Sequence, residues 1–319
     1  MKILITGGAG FIGSHLADCL IAEGHKISVI DNLSTGKYSN MKHLVSNQNF
    51  SYTIDSVLNK DVLEKLIKNC DQIYHLAAAV GVKYIIDNPL ASLKTNIAGT
   101  ENVLELANKY KKKVLIASTS EIYGKANKVP FTEEDDRLLG STHISRWSYS
   151  SAKAIDEFLA LAYYREKKLP VVIVRCFNTV GPRQTGQYGM VVPKFVKNAL
   201  LNHPITVFGD GKQSRCFTDV ADVVEGFIKL MNNKKAMGRI FNIGNDEEIT
   251  IEELAHKIKG LTNSRSKIEH IDYDEAYEEG FEDMMRRVPD LTKIKNLIGY
   301  KPKYNLEKIL DRIVEYFEK

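Results

Sequence analysis

The chain has 319 residues, 44% of them hydrophobic and 26% charged, and its net charge is +4. This composition is typical of a globular protein with a sizeable core, and the small net charge gives no indication of nucleic-acid binding. No stretch reaches the roughly 20 apolar residues that a membrane-spanning helix needs. The four cysteines show no zinc-binding spacing. We therefore expect a cytoplasmic protein with reduced thiols, no metal site, and no nucleic-acid or membrane partner.

Short runs rich in Val, Ile and Leu alternate with helical patterns in the first half of the chain. Most of these runs have the nearly continuous apolar character of strands that are buried on both faces of a parallel sheet. They lie at 2–6, 26–31, 50–55, 72–76, 114–118 and 171–177. Helical patterns such as 12–23 and 98–111 lie between them. The alternation predicts an α/β fold built on a doubly wound parallel sheet.

The first predicted strand runs directly into a glycine-rich turn. Gly8, Gly10 and Gly13 satisfy G-x-G-x-x-G, and Gly7, Gly10 and Gly13 satisfy G-x-x-G-x-x-G. Glycines at these positions allow a tight turn and close approach to a pyrophosphate, and the following helix directs its N–H groups at that anion. A glycine-rich surface turn is the alternative. The position between a strand and a helix favours a Rossmann dinucleotide site.

Asp31 ends the second predicted strand. A carboxylate at this point would accept hydrogen bonds from both adenosine ribose hydroxyls and would repel a 2′-phosphate, so NAD is favoured over NADP. A simple turn residue is the alternative, because Asp31-Asn32 also resembles a turn. Asp55, at the end of the third predicted strand, could similarly reach the edge of the adenine.

Tyr149 and Lys153 form a Y-x-x-x-K pair, and their i, i+4 spacing places both on one helical face. A nearby ammonium would lower the pKa of the tyrosine, which could then take a proton from a substrate hydroxyl while the cofactor takes hydride. The tyrosines that also have a lysine four residues on are Tyr38, Tyr163, Tyr164 and Tyr304. Tyr149 differs from them because it begins a helix after a strand that ends in hydroxyl residues, where ligands bind in open α/β sheets. The alternative is an ordinary amphipathic helix surface.

Further stretches join these motifs and together cover essentially the whole chain. They are S-T-S-E-I-Y-G at 118–124, R-C-F-N-T-V-G-P-R at 175–183 and F-G-D-G-K-Q-S-R at 208–215. With the glycine-rich turn, Asp31 and the Tyr149/Lys153 pair, they resemble the extended short-chain dehydrogenase/reductases that modify nucleotide sugars. The resemblance implies an NAD-dependent enzyme that oxidises C4 of a sugar carried by a nucleoside diphosphate, most often UDP.

The resemblance also implies roles for single residues. Thr119 would hydrogen-bond the sugar O4, Tyr149 would be the base, and Lys153 would bind the nicotinamide ribose. The cofactor-binding residues that it implies are Gly7, Gly10, Phe11, Ile12, Gly13, Asp31, Asn32, Asp55, Ser56, Leu76, Ala77, Ala78, Asn96, Tyr149 and Lys153. The substrate-binding residues that it implies are Tyr84, Ser120, Asn178, Val192, Arg215 and Arg287. An arginine fork suits phosphate oxygens, although either arginine could instead be a solvated surface charge.

Glu121 bears on the step that follows oxidation at C4. An epimerase returns hydride to the other face of the sugar, a 4,6-dehydratase eliminates water, and a uronate decarboxylase releases CO2. Two residues beyond Thr119, Glu121 would share its face on a strand, and the S-T-S-E form resembles dehydratases and decarboxylases. An exposed carboxylate at a strand end is the alternative.

Two stretches favour the decarboxylases, namely R-W-S-Y at 146–149 and Y-E-E-G-F-E-D at 277–283, which leads to R-V-P-D at 287–290. In the decarboxylases that they resemble, the residues matching Ser120, Glu121 and Arg287 surround the uronate carboxylate or protonate the product. The segment 184–192 instead resembles an epimerase loop. UDP-glucuronate decarboxylase is therefore the predicted activity, with a UDP-sugar 4-epimerase and then a 4,6-dehydratase as alternatives.

Gly and Pro become frequent after residue 178, and a predicted strand at 240–243 follows a helix at 220–231. We expect 1–178 with 217–244 to form the NAD-binding Rossmann domain, and 179–216 with 245–319 to form a smaller C-terminal α/β domain for the nucleotide sugar. The helices around 93–109 and 150–167 resemble a dimer interface of the family, which implies a homodimer. A catalytically idle NAD-binding regulator is the remaining alternative. The intact set of Thr119, Tyr149 and Lys153 argues against it.

Overall fold

The computed structural model of the chain describes residues 1–126, 128–187, 189–272, 275 and 282–319. Its strands are β1 (Lys2–Thr6), β2 (Lys26–Asp31), β3 (Phe50–Ile54), β4 (Gln72–His75), β5 (Lys113–Thr119), β6 (Val171–Cys176), β7 (Thr179–Val180), β8 (Ile205–Phe208), β9 (Ser214–Cys216), β10 (Thr218–Asp219), β11 (Arg239–Ile243), β12 (Glu248–Thr250) and β13 (Ile268–Ile271). The helices are α1 (Phe11–Ala22), α2 (Lys60–Lys68), α3 (Val82–Asp87), α4 (Pro89–Lys109), α5 (Trp147–Lys167), α6 (Val191–Leu200), α7 (Val220–Met231), α8 (Ile251–Leu261), α9 (Thr292–Ile298) and α10 (Leu306–Glu318).

A parallel sheet of seven strands in the order β11-β6-β5-β4-β1-β2-β3 forms the centre of the molecule. The register pairs Thr6 with both Ile30 and His75, and Thr119 with Cys176, so the carboxyl ends of the strands meet at one edge. The order reverses beside β1, which is where ligands bind in sheets of this kind. The predicted Rossmann-type doubly wound sheet is confirmed.

Both faces of this sheet are covered, which explains the continuous apolar runs in its strands. One core contains Leu16 of α1 with Val224 and Phe227 of α7, all fully buried. The core on the other face contains Leu63 of α2 and Leu104 of α4. Parallel strands need helical crossovers, and the crossovers bury both faces.

A third core lies outside the central sheet. It is formed by α6, α8 and α10 with β8, and it includes Phe195, Leu254 and Leu310. β8 pairs with β13 in parallel, and β9 pairs with β12 antiparallel. α8 begins at a capping box in which Thr250 and Glu253 satisfy each other's backbone N–H groups. Because this core is separate from the two cores of the central sheet, we propose that the chain has the two domains that the sequence predicts.

Some element boundaries differ from the predicted ones. α4 begins at Pro89, well before the predicted 98, because proline suits the first turn of a helix. Leu291, Ile294 and Tyr300 pack in the core that contains α1 and α7, although the proposed domain division places them with the other domain. None of the described helices has the length and apolar character of a membrane span.

One predicted strand feature was wrong. β5 ends at Thr119, and residues Ser120–Tyr123 form a turn of 3-10 helix instead of a continued strand. The Thr119 hydroxyl accepts a hydrogen bond from the Glu121 N–H at 3.2 Å and so caps this turn. Glu121 therefore does not share a strand face with Thr119, and the 3-10 turn sets its position.

Candidate active site

A cavity of about 510 Å³ opens at the carboxyl ends of the parallel strands. Its lining combines residues of the central sheet with residues of the third core, including Phe195 of α6, Phe208 of β8 and Ile251 of α8. This volume lies in the range of about 300–1,000 Å³ that is usual for small-molecule sites. The cavity therefore connects the glycine-rich turn to the second part of the chain.

The glycine-rich turn forms one wall of the cavity. Gly7 adopts a φ of +74°, and a Cβ there would lie 2.7 Å from the backbone nitrogen of Ala77. A Cβ on Gly13 would collide with the Gly7 carbonyl oxygen. The first intrahelical hydrogen bond of α1 is donated by Ser14 N to the Gly10 carbonyl. The N–H groups in the first turn before it have no partner within the helix, so they suit an anion such as a pyrophosphate.

Asp31 lies in the cavity wall at the end of β2. Its carboxylate accepts hydrogen bonds from the backbone N–H groups of Ala9 at 2.9 Å and Leu33 at 2.8 Å. Burial raises the pKa of Asp31, while these backbone hydrogen bonds act in the opposite direction. The backbone N–H of Gly10 also acts on this carboxylate, and a carboxylate has about four lone-pair sites, so some acceptor capacity remains for a ligand hydroxyl.

Thr119 and Tyr149 both line the cavity and are almost fully buried. Thr119 is the last residue of β5, and Tyr149 lies in the first turn of α5. Ser150 ties these elements together, because its hydroxyl donates to the backbone carbonyl of Glu121 at 2.8 Å. The phenol of Tyr149 and the hydroxyl of Thr119 therefore line the same cavity, one from α5 and the other from β5.

Lys153 does not act on Tyr149 as the sequence predicted. Its ammonium donates to the carboxylate of Asp156 at 2.7 Å, and both side chains are buried. Burial raises the pKa of Tyr149, and the negative charge of Glu121 adds to the effect. The expected lowering of the tyrosine pKa is therefore not found, because burial of the phenol dominates.

Glu121 and Arg287 meet at the next part of the cavity. Nη1 of Arg287 donates to Oε1 of Glu121 at 3.1 Å, and Nη2 donates to the Ser120 hydroxyl at 2.6 Å. The Arg287 side chain is 10% exposed and the Glu121 side chain 13%. The alternative interpretation of Glu121 as an exposed strand-end carboxylate does not hold. Ser120 itself is fully buried behind the arginine.

Two further arginines and a second carboxylate extend this cluster. Nη2 of Arg146 lies 3.1 Å from Oδ1 of Asp283 and 3.7 Å from Oε1 of Glu121. Nη2 of Arg215 donates to the same Asp283 oxygen at 3.0 Å. All five charged residues line the cavity, with three guanidinium groups against two carboxylates. The excess positive charge favours an anionic ligand.

The pKa values in this cluster follow from burial and from the neighbouring charges. Burial acts to raise the pKa of Glu121, but Arg146 and Arg287 outweigh burial and lower this pKa. The carboxylate of Glu121 is therefore ionised at neutral pH. Burial also acts to raise the pKa of Asp283, but Arg215 and Arg146 outweigh burial and lower this pKa. Burial lowers the pKa of Arg287 to about 10, helped by the other two arginines.

Most of the predicted site residues line the cavity. The ones that do are Gly7, Gly10, Phe11, Ile12, Gly13, Asp31, Asn32, Asp55, Ser56, Leu76, Ala77, Ala78, Thr119, Glu121, Tyr149, Asn178, Val192, Arg215 and Arg287. Lys153, Ser120 and Asn96 lie behind this lining, and Asn96 exchanges hydrogen bonds with the backbone of Ala79. Tyr84 is half-buried on α3 and does not reach the lining, to which Ile85 of the same helix belongs.

Arg146, Asp283 and Cys176 are among the lining residues that received no role from the sequence. Arg146 precedes Tyr149 by three residues, and this helical spacing could have indicated a shared face. Asp283 reaches Arg215 from 68 positions away in the chain, and no local signal predicts that contact. Cys176 ends β6 beside Thr119 in the sheet register, so its place at the carboxyl edge could have been inferred. Residues 277–281, which supported the decarboxylase prediction, lie outside the described part of the chain.

Comparisons with known proteins agree with this geometry. A family model described as GDP-mannose 4,6 dehydratase matches residues 4–313. The chain is 44% identical over 317 residues to UDP-N-acetyl-alpha-D-glucosaminuronate decarboxylase of Bacillus cytotoxicus, which covers 99% of this chain and 97% of that protein. It is 39% identical over 322 residues to UDP-glucuronic acid decarboxylase 1 of Danio rerio, covering 100% of this chain and 73% of the relative.

A solved structure is similar over the whole length. It is the UDP-glucuronic acid 4-epimerase from Bacillus cereus in complex with UDP-glucuronic acid and NAD. The TM-score is 0.90 at 29% identity, and the match covers 100% of this chain and 99% of that one. Decarboxylases and an epimerase thus share this architecture.

Proposed function

Since the chain belongs to the GDP-mannose 4,6 dehydratase family, we propose that it is an NAD-dependent decarboxylase of a UDP-linked uronate. The enzyme oxidises C4 of the sugar and then releases the carboxylate as CO2. Relatives that are named as uronate decarboxylases match the chain over nearly its full length at 44% and 39% identity. Both UDP-glucuronate and its N-acetylamino counterpart are candidate substrates.

The buried contact between Glu121 and Arg287, with Arg146 beside it, carries this proposal. Glu121 follows Thr119 by two residues, so the cluster lies next to the hydroxyl that would bind the sugar O4. A uronate has its carboxylate on C5, one carbon from C4. Guanidinium groups in a buried, net positive cluster are the side chains best suited to bind that carboxylate.

The residues of the glycine-rich turn fit NAD. The α1 N-terminus would bind its pyrophosphate, Asp31 its adenosine ribose, and Lys153 its nicotinamide ribose. The 2′-phosphate of NADP would lie against the negative charge of Asp31, so the site disfavours NADP. Bound there, NAD would supply the hydride acceptor for oxidation at C4.

Tyr149 and Thr119 would carry out the first step. Tyr149 accepts the proton of the C4 hydroxyl, and Thr119 holds the oxygen by a hydrogen bond. C4 is thereby oxidised to a ketone. Burial favours the neutral phenol of Tyr149, so the phenolate that accepts this proton depends on a nearby positive charge, which the nicotinamide ring of bound NAD would supply. The proton is then available when the ketone is reduced again.

The second step uses the charged cluster. The ketone at C4 is β to the carboxylate, so the C5–C6 bond can break with its electron pair moving to the C4 oxygen as CO2 leaves. Arg287 and Arg146 hold the carboxylate, and the ionised Glu121 disfavours a second negative charge close by. A proton must then be added at C5. Arg287, with a pKa of about 10, is a better proton donor than the ionised Glu121. Hydride return to C4, with the proton from Tyr149, completes the reaction.

A panel of nucleotide sugars tests the proposal. The purified protein is incubated with NAD and, separately, UDP-glucuronate, UDP-N-acetylglucosaminuronate, UDP-glucose, UDP-N-acetylglucosamine and GDP-mannose. Products are identified by chromatography with mass detection. Loss of CO2 from a uronate supports the proposal, and loss of water or an isomeric product contradicts it.

A UDP-sugar 4-epimerase is the second candidate. The similar structure of a UDP-glucuronic acid 4-epimerase favours it, and so does the segment 184–192. Of that segment, Gln184, Thr185 and 189–192 line the cavity. An epimerase must let the keto sugar turn over within the site, whereas a decarboxylase must hold its carboxylate. The buried ion pair at Arg287 agrees better with the second requirement.

We also propose a homodimer through α4 and α5. These helices pack side by side, and α5 presents Ile155 and Phe158 to solvent, with Phe158 66% exposed. Their i, i+3 spacing places both on one face. Leu90 of α4 is 65% exposed. Covering such apolar side chains favours association. A cytoplasmic location likewise remains a prediction, which rests on the four free cysteines.

A further inference from the structure

The ion pair between Lys153 and Asp156 is buried beside the proposed cofactor site. The Lys153 side chain is 2% exposed and the Asp156 side chain is fully buried. Their separation of 2.7 Å is that of a charge-assisted hydrogen bond. A buried charge is costly unless it is paired. Asp156 is therefore the group that keeps Lys153 charged in the interior.

A chain of buried hydrogen bonds runs away from Asp156 across the sheet. The Thr100 hydroxyl of α4 lies beside the Asp156 carboxylate and favours its charged form, although Oδ1 of Asp156 has no hydrogen-bond partner within the described part of the chain. Thr100 Oγ1 lies 3.1 Å from His75 Nε2, and His75 Nδ1 lies 2.7 Å from Thr6 Oγ1. Thr6 Oγ1 accepts the N–H of Ala77 at 3.2 Å. Because Ala77 lines the cavity, the chain joins Lys153 to the wall that would hold the cofactor.

The direction of this chain follows from its two ends. A carboxylate can only accept, so the Thr100 hydroxyl donates to Asp156 and must accept from His75 Nε2–H. Burial lowers the pKa of His75 to about 3, with help from the Lys153 charge, so the imidazole is neutral. Its Nδ1 then accepts from the Thr6 hydroxyl. Each donor in the chain therefore points toward Asp156.

We propose that Asp156 is a positioning residue that holds Lys153 charged and in place for the reaction. The inference rests on the proposed oxidation at C4, in which Lys153 takes part. An ammonium has three donors, and Asp156 engages one of them, which leaves two for ligand hydroxyls. Without the carboxylate, Lys153 would be a buried cation with no counterion.

Asp156→Asn tests this role through the pH profile of turnover. Loss of the carboxylate leaves the buried Lys153 ammonium without a counterion, and burial disfavours the charged form of an amine. The ammonium is then lost at a lower pH. We expect kcat at neutral pH to fall by about tenfold or more, and the alkaline limb to move down by about one pH unit or more.

The neighbouring titratable groups do not produce such a limb. His75, Tyr149, Cys176 and Glu157 surround the pair. Burial keeps His75 neutral and raises the pKa of Tyr149, and it raises the pKa of Cys176 to about 12. Glu157 is held by Arg175, whose Nη2 donates to it at 2.8 Å.

Glu157→Gln is the matched control, because it removes a buried carboxylate one position along the same helix. It should lower thermal stability and leave the limb in place. Asp156→Ala, which suits a helix, serves as the second variant if Asn impairs folding, and the same shift is expected. A profile of either folded variant that overlays the wild type overturns the proposal.

The assay uses whichever nucleotide sugar the wild-type protein turns over. If the wild type epimerises its substrate and releases no CO2, the proposed decarboxylase function fails. The shift of the limb still decides the role of Asp156, because oxidation at C4 is common to both reactions.

Discussion

Nη1 of Arg287 donates a 3.1 Å hydrogen bond to Oε1 of Glu121, across 166 positions of the chain. The contact joins the C-terminal part of the chain to the turn that follows β5, at the wall of the cavity. Both side chains are nearly buried. The pair brings an ionised carboxylate and a guanidinium with a lowered pKa next to Thr119 and Tyr149, and the proposed decarboxylation depends on this arrangement.

Replacing Arg287 with Lys should reduce kcat/KM for the uronate by about 100-fold, or roughly 3 kcal/mol. A lysine keeps the charge but cannot bond Glu121, Ser120 and a ligand carboxylate with one planar fork. Arg286→Lys is the control, because the Arg286 side chain is 55% exposed and pairs with Glu248 away from the cavity. Equal kinetics for both variants would contradict the role given to Arg287.

Replacing Tyr149 with Phe should lower kcat by about 10³-fold, because the proton acceptor at C4 is removed. Binding of NAD, measured by calorimetry, should change little. Tyr163→Phe is the matched control, since Tyr163 is a half-buried tyrosine on the same helix that also has a lysine four residues on. If the Tyr149 variant retained turnover, Tyr149 would not be the base and another proton acceptor would be needed.

His75 should make the protein sensitive to mild acid. Its folded pKa of about 3 lies below the ordinary value of 6.5. Between these values the unfolded chain binds a proton that the folded protein does not, so the free energy of unfolding falls as pH falls through that window. From pH 6.5 to about 4.5 the loss due to this residue is about 2–3 kcal/mol.

Urea unfolding at several pH values measures this effect. His75→Asn cannot take up a proton, so its stability should fall less steeply over the same window. Other groups titrate in both proteins, and only the difference between the two slopes reports His75. Parallel slopes would show that His75 is not buried in its neutral form.

Phe158→Asp should convert the proposed dimer into a monomer, because it places a charge in the centre of the apolar face of α5. Sedimentation velocity at micromolar concentration distinguishes the two states. Leu201→Asp is the control, since Leu201 is 53% exposed at the end of α6, on a different core. A wild-type protein that sediments as a monomer would refute the dimer directly.

The central sheet could be predicted from sequence because its strands are buried on both faces. Continuous apolar runs gave β1 and β2 with their observed bounds. The glycine-rich turn was equally clear, since φ and close backbone approach at Gly7 demand glycine. Such signals are local, and a single sequence carries them in full.

The charged part of the site could be predicted only incompletely. Glu121 pairs with Arg146 and Arg287, which lie elsewhere in the chain, and only folding brings the three residues together. The i, i+4 spacing suggested that Lys153 lowers the pKa of Tyr149, but burial of the phenol raises it, and the Lys153 ammonium donates to Asp156. Competition between partners is not visible in the spacing of one pair.

The most direct test of the account is to incubate the protein with NAD and UDP-glucuronate, and separately with UDP-N-acetylglucosaminuronate, in deuterated water. The mass of the product is then measured. If the protein is a decarboxylase, we expect a UDP-sugar that has lost one CO2 and gained one solvent deuterium at C5, because C5 is protonated after the C5–C6 bond breaks. A product that retains its carboxylate, with inverted C4 and no deuterium at C5, would contradict it and identify an epimerase.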